Sequence, residues 1–445
     1  MTRRQFLALI IPLVVVLLGY LGLVIVERTG LGGAPPWDES FGRDLRHSMA
    51  REFAYGLGDR QRQLEAYFRA LNGWLSAFDE YGEVVPPWEL DAVRERSSGQ
   101  YYGIGVRTMR SDPPGPAAGV EVTGVKPGGP ADKAGVKIGD RIIGVDGKSL
   151  ADLAADNNPR ALEEAIRGVR GTGMSLRLLG ADGTERSVAV VRDAIETGSV
   201  FGSRLLDEAA GFGYLRLSGF HLETASSAAR ELKGLLKRGL KGLVLDLREN
   251  AGGLLEQAVG VANLFLKEGV IVRVVGRGPD YPKVHRAAAE RALCPDLPLV
   301  VLINRHSASA SEVLAGALQD HRRAPVVGER SYGKFLVQTV EELPMEYGTV
   351  LFKRTTAIYE TPAGHHYQRR LSQGASDPLA GILPDLVVPM SAQENAKLAD
   401  IFANEEYADW NPSQPGVHVE FVDPQIEAAL ALLAGRPCTP RITAR

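Results

Sequence analysis

The sequence predicts an α/β protein: a parallel sheet covered on both faces, preceded by a separate, small β-rich domain, with an apolar span at the N-terminus and helical segments at both ends. Three observations carry this. Between about residues 200 and 390, near-continuous apolar runs such as "KGLVLDLR" and "LPLVVLIN" are each followed by a helical pattern, as strands buried between helices require. Between about 98 and 193, glycines punctuate short β-rich runs. Phe6 to Val26, "FLALIIPLVVVLLGYLGLVIV", carries no charge.

That apolar run is long enough to cross a hydrocarbon core as a helix. Arg3 and Arg4 precede it, and no small-residue cleavage site follows. It predicts an uncleaved signal-anchor over residues 1–30, with the rest of the chain facing outward. The implied location is a bacterial inner membrane, single-pass, with the remainder in the periplasm or outside the cell. "TGLGGAPPW" then reads as a linker, and "MAREFAYGL" and "LEAYFRALNGWLSAF" space apolar residues three and four apart, so residues 31–97 read as a linker and helical region until "EYGEVVPPW" breaks it.

In the β-rich domain, 98–193, "YYGIGVRTM", "GVEVTGV", "DRIIGVDG", "MSLRLLG" and "RSVAVVR" read as strands, and "GPADKAG" and "PRALEEAIRG" as short helices. Asp146-Gly147 and Asp182-Gly183 mark hairpins. In the α/β region, 194–390, "FGYLRLSGF", "KGLVLDLR", "LPLVVLIN" and "APVVGE" alternate with the helical "ETASSAARELKGLLKRG", "GLLEQAVGVANLFLKEG" and "SEVLAGALQDHR". Residues 391–445 hold two helical stretches, "AQENAKLADIF" and "PQIEAALALLAGR".

Composition excludes several classes. A formal net charge of -3 over 445 residues gives no footprint for a nucleic-acid partner. The two cysteines form no CxxC pair and the eight histidines no HExxH, so neither a metal site nor a cofactor is implied.

Three stretches fall where ligands bind in open α/β sheets, at the carboxyl ends of strands. "DLRENAGG", Asp246 to Gly253, offers glycines and a helix start, which suits an oxyanion hole or only a tight βα turn. "HSASASEVL" begins a helix. A serine there would lie at the helix N-terminus, yet Ser309-x-x-Glu312 also reads as a capping box. "GERSYGKF" nearly matches a P-loop, but Phe335 stands where a hydroxyl is needed and the following "FLVQTVEEL" alternates like a strand. Lys334 is instead a candidate base, provided burial lowers its pKa from ~10.4. His306 and His321 are rival bases. "YYGIGV" can cradle a terminal carboxylate and lead an extended peptide onto the next strand.

In their order along residues 40–390, these features resemble the C-terminal processing peptidases, or tail-specific proteases. "VKPGGPADKAGVKIGDRIIGVDGKSL" is similar to a PDZ core, and "GYLRLSGF", "GLVLDLRENAGG", "SASASEVLAGALQD", "VVGERSYGKFLVQ" and "GILPDLVV" follow. The resemblance implies a Clp/crotonase-like core with an inserted PDZ domain, and a serine/lysine endopeptidase acting on proteins with accessible C-terminal tails. It implies Ser309 as nucleophile, Lys334 as base, Gln338 as the residue orienting the lysine, and N–H groups of Ala310 and Gly253 as oxyanion hole. It assigns Tyr102, Gly103, Ile104, Gly105 and Val106 to the substrate tail, and Arg167 to coupling of the PDZ domain with the site. Ala251, Phe335 and His306 depart from the family pattern, Phe335 bearing on pocket shape. The second hypothesis is a membrane-anchored PDZ scaffold that binds tails without cutting them. Helices at both ends are consistent with a homodimer.

Overall fold

The computed structural model describes residues 60–90, 93–94, 99–110, 119–153, 161–345, 348–369, 380–411 and 421–436. The chain divides into two compact units, Met1–Leu71 and Asn72–Arg445, and the site described below lies in the second. The predicted N-terminal helical region is helical over α1 (Arg60–Leu75). After its turn comes a short strand, β1 (Glu83–Val85), which periodicity does not reveal because its partner is almost 270 residues away.

The expectation of a transmembrane helix, and with it the single-pass inner-membrane location, is corrected. Among the described residues no helix is long and apolar enough to cross a membrane. The longest, α1, has 16 residues and includes three arginines, about 24 Å at 1.5 Å per residue against a core of about 30 Å. The apolar run Phe6 to Val26 on which the expectation rested lies outside the described residues.

The β-rich region contains the expected strands and both expected helices, adds a third short helix, and divides "YYGIGVRTM" between two strands of different sheets. Its elements are β2 (Gln100–Gly103), β3 (Val106–Arg110), β4 (Val120–Val125), α2 (Pro130–Lys133), β5 (Arg141–Val145), β6 (Lys148–Ser149), α3 (Leu150–Leu153), α4 (Ala161–Ile166), β7 (Gly173–Leu179), β8 (Glu185–Val191) and β9 (Asp193–Glu196). β2 and β9 pair antiparallel into a ribbon where the chain enters and leaves. The others form a sheet in the order β3-β4-β5-β7-β8, with β6 on β5. Ile104, Val122, Ile142, Leu176 and Leu178 are fully buried between this sheet and its helices. The Asp146-Gly147 turn takes φ 49° and 78°, the left-handed pair that a two-residue hairpin needs.

The α/β region comprises β10 (Val200–Asp207), β11 (Phe212–Leu217), α5 (Thr224–Lys237), β12 (Gly242–Asp246), α6 (Leu255–Phe265), β13 (Val270–Gly276), β14 (Lys283–Arg286), β15 (Leu299–Ile303), α7 (Ala310–Asp320), β16 (Val326–Gly328), β17 (Leu336–Met345), β18 (Gly348–Glu360) and β19 (Leu386–Val387). Helices α8 (Ala392–Glu406) and α9 (Pro424–Leu433) follow. The main sheet runs β10-β11-β12-β15-β16-β19, parallel from β11 onward with β10 antiparallel at the edge. α5, α6 and α7 contribute to a core with Leu215, Leu245 and Val301 on one face, and α9 covers Tyr214, Val244, Val300 and Leu302 on the other. A second sheet, β1-β18-β13-β14 with β17 paired to β18, is added to this plan.

At the end of β12 a fully buried ion cluster fastens α9 to the sheet. Arg248 lies 2.5 Å from Asp246 and 2.8 Å from Asp423, and donates to Gln425 Oε1 at 3.0 Å, while Tyr214 Oη donates to Asp246 at 2.8 Å. Removing one partner strands the other charges in a dry interior. Arg248→Ala is expected to lower unfolding free energy by about 3–5 kcal/mol, read from the shift in a urea denaturation midpoint.

Candidate active site

The carboxyl ends of β11, β12 and β15 meet at the start of α7, as the doubly covered sheet predicts. Of the three serines there, two are committed elsewhere. Ser307 and Ser311 are fully buried, and their hydroxyls donate to the carbonyls of Leu247 and Asn250, both at 2.8 Å. Ser309 is partly exposed and precedes the first residue of α7. Its backbone is at φ 56°, ψ -115°, a conformation that costs a non-glycine residue energy and that surrounding structure must hold in place.

The glycine turn lies directly against it. A Cβ on Gly252 would fall 2.8 Å from Ser309 Cβ and 3.0 Å from the Ala310 nitrogen. Asn250 organises this turn: its Oδ1 accepts the Gly252 N–H at 2.9 Å, its Nδ2 donates to Leu217 O at 2.8 Å, and its carbonyl accepts the Ala308 N–H at 3.0 Å. The Gly252 N–H is thereby taken up within the turn. Gly253 itself bridges to Phe220, and a Cβ there would strike the Phe220 carbonyl.

Glu312 joins the serine turn to the lysine loop. One carboxylate oxygen accepts the N–H groups of Ser309 (2.8 Å) and Lys334 (2.8 Å), and the other accepts Ser331 Oγ (2.5 Å) and the Gly333 N–H (2.6 Å). Burial pushes this carboxyl above its ordinary value, against the pull of the four hydrogen bonds. The predicted capping glutamate therefore does cap the Ser309 end of α7, and it also fixes a loop more than 20 residues away.

Lys334 Nζ donates to Gln338 Oε1 at 3.1 Å. Burial depresses the pKa of the ammonium, the nearby Lys353 charge adds to that effect, and Glu312 opposes it. Gln338 is itself oriented by Tyr81, whose carbonyl accepts Gln338 Nε2 at 2.5 Å. The Tyr81 ring lies 5.4 Å from Lys334 Nζ, and its hydroxyl, pushed up to about 12 by burial, accepts from Gln368 Nε2 at 3.3 Å. Tyr81 and Asn250 were not anticipated. Tyr81 arrives from the far side of the chain through β1, a placement that no local spacing encodes, whereas Asn250 sits within "DLRENAGG" and carries an Asx-turn signal.

The remaining expectations are placed as follows. His306 is exposed, its Nε2 taken by Arg305 Nε at 3.0 Å. His321 caps the opposite end of α7, about 18 Å from Ser309 at 1.5 Å per residue, with its Nε2 2.7 Å from Val270 O. Phe335 turns into the core against Tyr367, ring centres 5.5 Å apart, so it does not reshape the space around Lys334. Leu336–Met345 is a strand where a P-loop needs a helix. Tyr102 and Gly103 end β2, Gly105 turns at φ 75°, and Val106 opens β3, the edge strand of its sheet. The carbonyls of Ile104 and Gly105 are held by the N–H groups of Ala131 and Lys126, both at 2.9 Å. The Arg167 guanidinium stacks 4.8 Å over Tyr101 of the ribbon and pairs with Glu163 at 2.9 Å. Among the described residues no cluster of three or more His, Cys, Asp or Glu could hold a metal.

Residues 211–388 match the model of peptidase family S41, and residues 91–172 match the PDZ domain. A carboxyl-terminal-processing protease of Picosynechococcus sp. is 37% identical over 333 residues, 73% of each chain. A carboxy-terminal-processing protease of Bartonella bacilliformis is 35% identical over 358 residues, 78% of this chain and 74% of its own. A solved photosystem II D1 C-terminal processing protease is 29% identical, covering 84% of this chain and 92% of its own at a TM-score of 0.42. The chain thus belongs to peptidase family S41, as a C-terminal processing serine protease that carries a PDZ domain.

Proposed function

We propose that this protease cleaves through an acyl-enzyme, with Ser309 as nucleophile and neutral Lys334 as the base. The observation that carries the proposal is the Glu312 carboxylate, which holds the backbone nitrogens of Ser309 and Lys334 on one oxygen atom, 2.8 Å from each. Lys334 takes the Ser309 proton as Oγ attacks the scissile carbonyl. The developing oxyanion is met by the N–H groups of Ala310 and Gly253. The lysine then protonates the leaving amine, and water releases the acyl group by the reverse sequence. Gln338, steered by Tyr81, orients the ammonium. The layout of parallel sheet and second sheet supports a Clp/crotonase-like core at 194–390, with the PDZ domain at 98–193 inserted ahead of it and helices at Arg60–Leu75 before it and at Ala392–Glu406 and Pro424–Leu433 after it.

The substrate class we infer is proteins with free C-terminal tails. Tyr102 to Val106 receive the tail, which extends the sheet along the open edge of β3. Arg167, stacked on the ribbon, couples this domain to the site.

Ser309→Ala and Lys334→Ala should each reduce cleavage of an unstructured, tailed protein at least 10³-fold, by analogy with other nucleophile and base deletions, whereas His306→Ala and His321→Ala should leave it within about threefold. A scaffold would instead bind that protein without producing fragments. The pH dependence has a definite sign. Because the lysine must be neutral, kcat/KM should rise with pH through a transition below the ordinary lysine value of ~10.4; a profile that falls over that range would exclude a lysine base. Converting the tail carboxylate of the substrate to an amide should raise KM about tenfold, about 1.4 kcal/mol of binding, with kcat little changed.

A further inference from the structure

His221 has no part in the chemistry above, yet its ring is wedged between two backbones that matter to it. On one side is Gly99, at the root of the ribbon leading into the PDZ domain: a Cβ there would fall 2.5 Å from His221 Nδ1. Gly99 is held in turn by Thr197 at the ribbon's other root, whose N–H and Oγ1 reach the Gly99 carbonyl at 2.8 and 2.9 Å. On the other side is Gly219, where a Cβ would fall 3.0 Å from His221 Nε2 and 3.7 Å from Gly252 O. Phe220, between Gly219 and His221, grips the glycine turn with both backbone groups. Its N–H donates to Gly252 O at 3.0 Å and its carbonyl accepts the Leu254 N–H at 2.8 Å. The His221 N–H donates to Thr224 Oγ1 at 2.8 Å, and Thr224 Oγ1 lies 2.7 Å from Ser199 Oγ.

The imidazole makes no use of its nitrogen on the Gly99 side: Nδ1 is buried and has no hydrogen-bond partner among the described residues. A buried orphan of this kind is uncommon and calls for an explanation.

We propose that His221 is a positioning residue: its ring, in the neutral form, braces Phe220 and the Gly252-Gly253 turn against the root of the PDZ ribbon and so sets where the oxyanion donor stands. The proposal rests on the oxyanion-hole reading given above. It also makes the brace sensitive to acid. The two backbones against the ring, Gly99 of the ribbon and Gly219 at the strand end, are uncharged, as are Thr197, Ser199 and Thr224, which hydrogen-bond around them. The nearest charges along those elements, Glu196 and Glu223, are exposed, and burial alone accounts for the depression of the imidazole's pKa. A proton added to Nδ1 would have no acceptor, and the ring would be driven out of the gap.

The test compares the full chain with its His221→Ala, His221→Phe and Ser309→Ala variants, using an unstructured protein with a free tail and following kcat and KM from about pH 5 to 9. His221→Ala should lose kcat about tenfold with KM within about twofold, and His221→Phe should restore kcat to within about threefold. In the parent, log kcat should fall with unit slope as Lys334 protonates, then steepen toward two below the ordinary histidine value of ~6.5, and His221→Phe should keep unit slope throughout. Parent-like kcat in His221→Ala would overturn the proposal. So would a His221→Phe as weak as His221→Ala, since the nitrogens would then be acting chemically. If His221→Ala fails to fold, the parent and His221→Phe profiles still decide: equal steepening in both overturns the brace. Activity in Ser309→Ala would instead refute the reading of the site and leave the brace to be judged on the other variants.

Discussion

The site depends on one buried carboxylate. Glu312 is almost fully enclosed, and an ionised carboxylate in a dry interior is costly unless its lone pairs are filled. Here four donors fill them, from Ser309, Ser331, Gly333 and Lys334. Charge-assisted bonds are about twice as strong as neutral ones, so every contact that neutralises Glu312 also locks a piece of backbone. Two of those pieces are the turn before α7 and the loop after β16. The strained φ of Ser309 is tolerable on the same grounds, because its N–H is held by a group that cannot move without breaking three other bonds. Gly333, at φ 92° with Gly381 N only 2.8 Å from where a Cβ would sit, shows how tightly the loop is drawn against its surroundings.

The lysine side is assembled from further afield. Lys334 and Gln338 belong to β17 and the loop before it, and β17 is held by the long β18. β18 also pairs with β1, and Thr355 on β18 binds the Asp79 carboxylate through both its N–H (2.6 Å) and its hydroxyl (2.8 Å). These contacts deliver the Tyr81 carbonyl to Gln338. Amide orientation is then settled by chemistry: Nε2 must face a carbonyl, which turns Oε1 toward the ammonium. The second sheet thereby supports the Lys334 side chain as well as forming a layer of the fold.

This division explains what could be read in advance. Strands β11, β12, β15 and β16 and helices α5, α6 and α7 have local signatures, continuous apolar runs and helical periodicity, and each was legible. So were the hairpins at Asp146-Gly147 and Asp182-Gly183, where the turn chemistry is local. β1, β13, β14 and β18 were not. β1 is three residues of ordinary composition that become a strand only because β18 pairs with them, and β18 lies between a hairpin partner on one side and two separate strands on the other. The same boundary runs through the site. Ser309, Lys334, Gln338 and the glycine turn sit in compact motifs, whereas Tyr81 is a contact across more than 250 residues, and His221 matters for the two glycines it touches, which no spacing in "SGFHLET" announces.

The three serines show how a local pattern acquires a function from its surroundings. Ser307 and Ser309 lie in the turn before α7, and Ser311 lies in the first turn of the helix. Leu247 O and Asn250 O, at the end of β12, take up the outer two. Those bonds bury the outer hydroxyls as acceptor-matched donors, which removes them as nucleophiles and staples the turn to the neighbouring strand. The middle serine is left partly exposed, over a glycine that has no Cβ to block it and at the N-terminus of a helix whose first N–H groups point outward. The helix-capping reading and the catalytic reading of this stretch therefore describe one geometry. Glu312 caps the helix by binding the Ser309 N–H, and in doing so holds the Ser309 backbone in its strained conformation against the Gly252 turn.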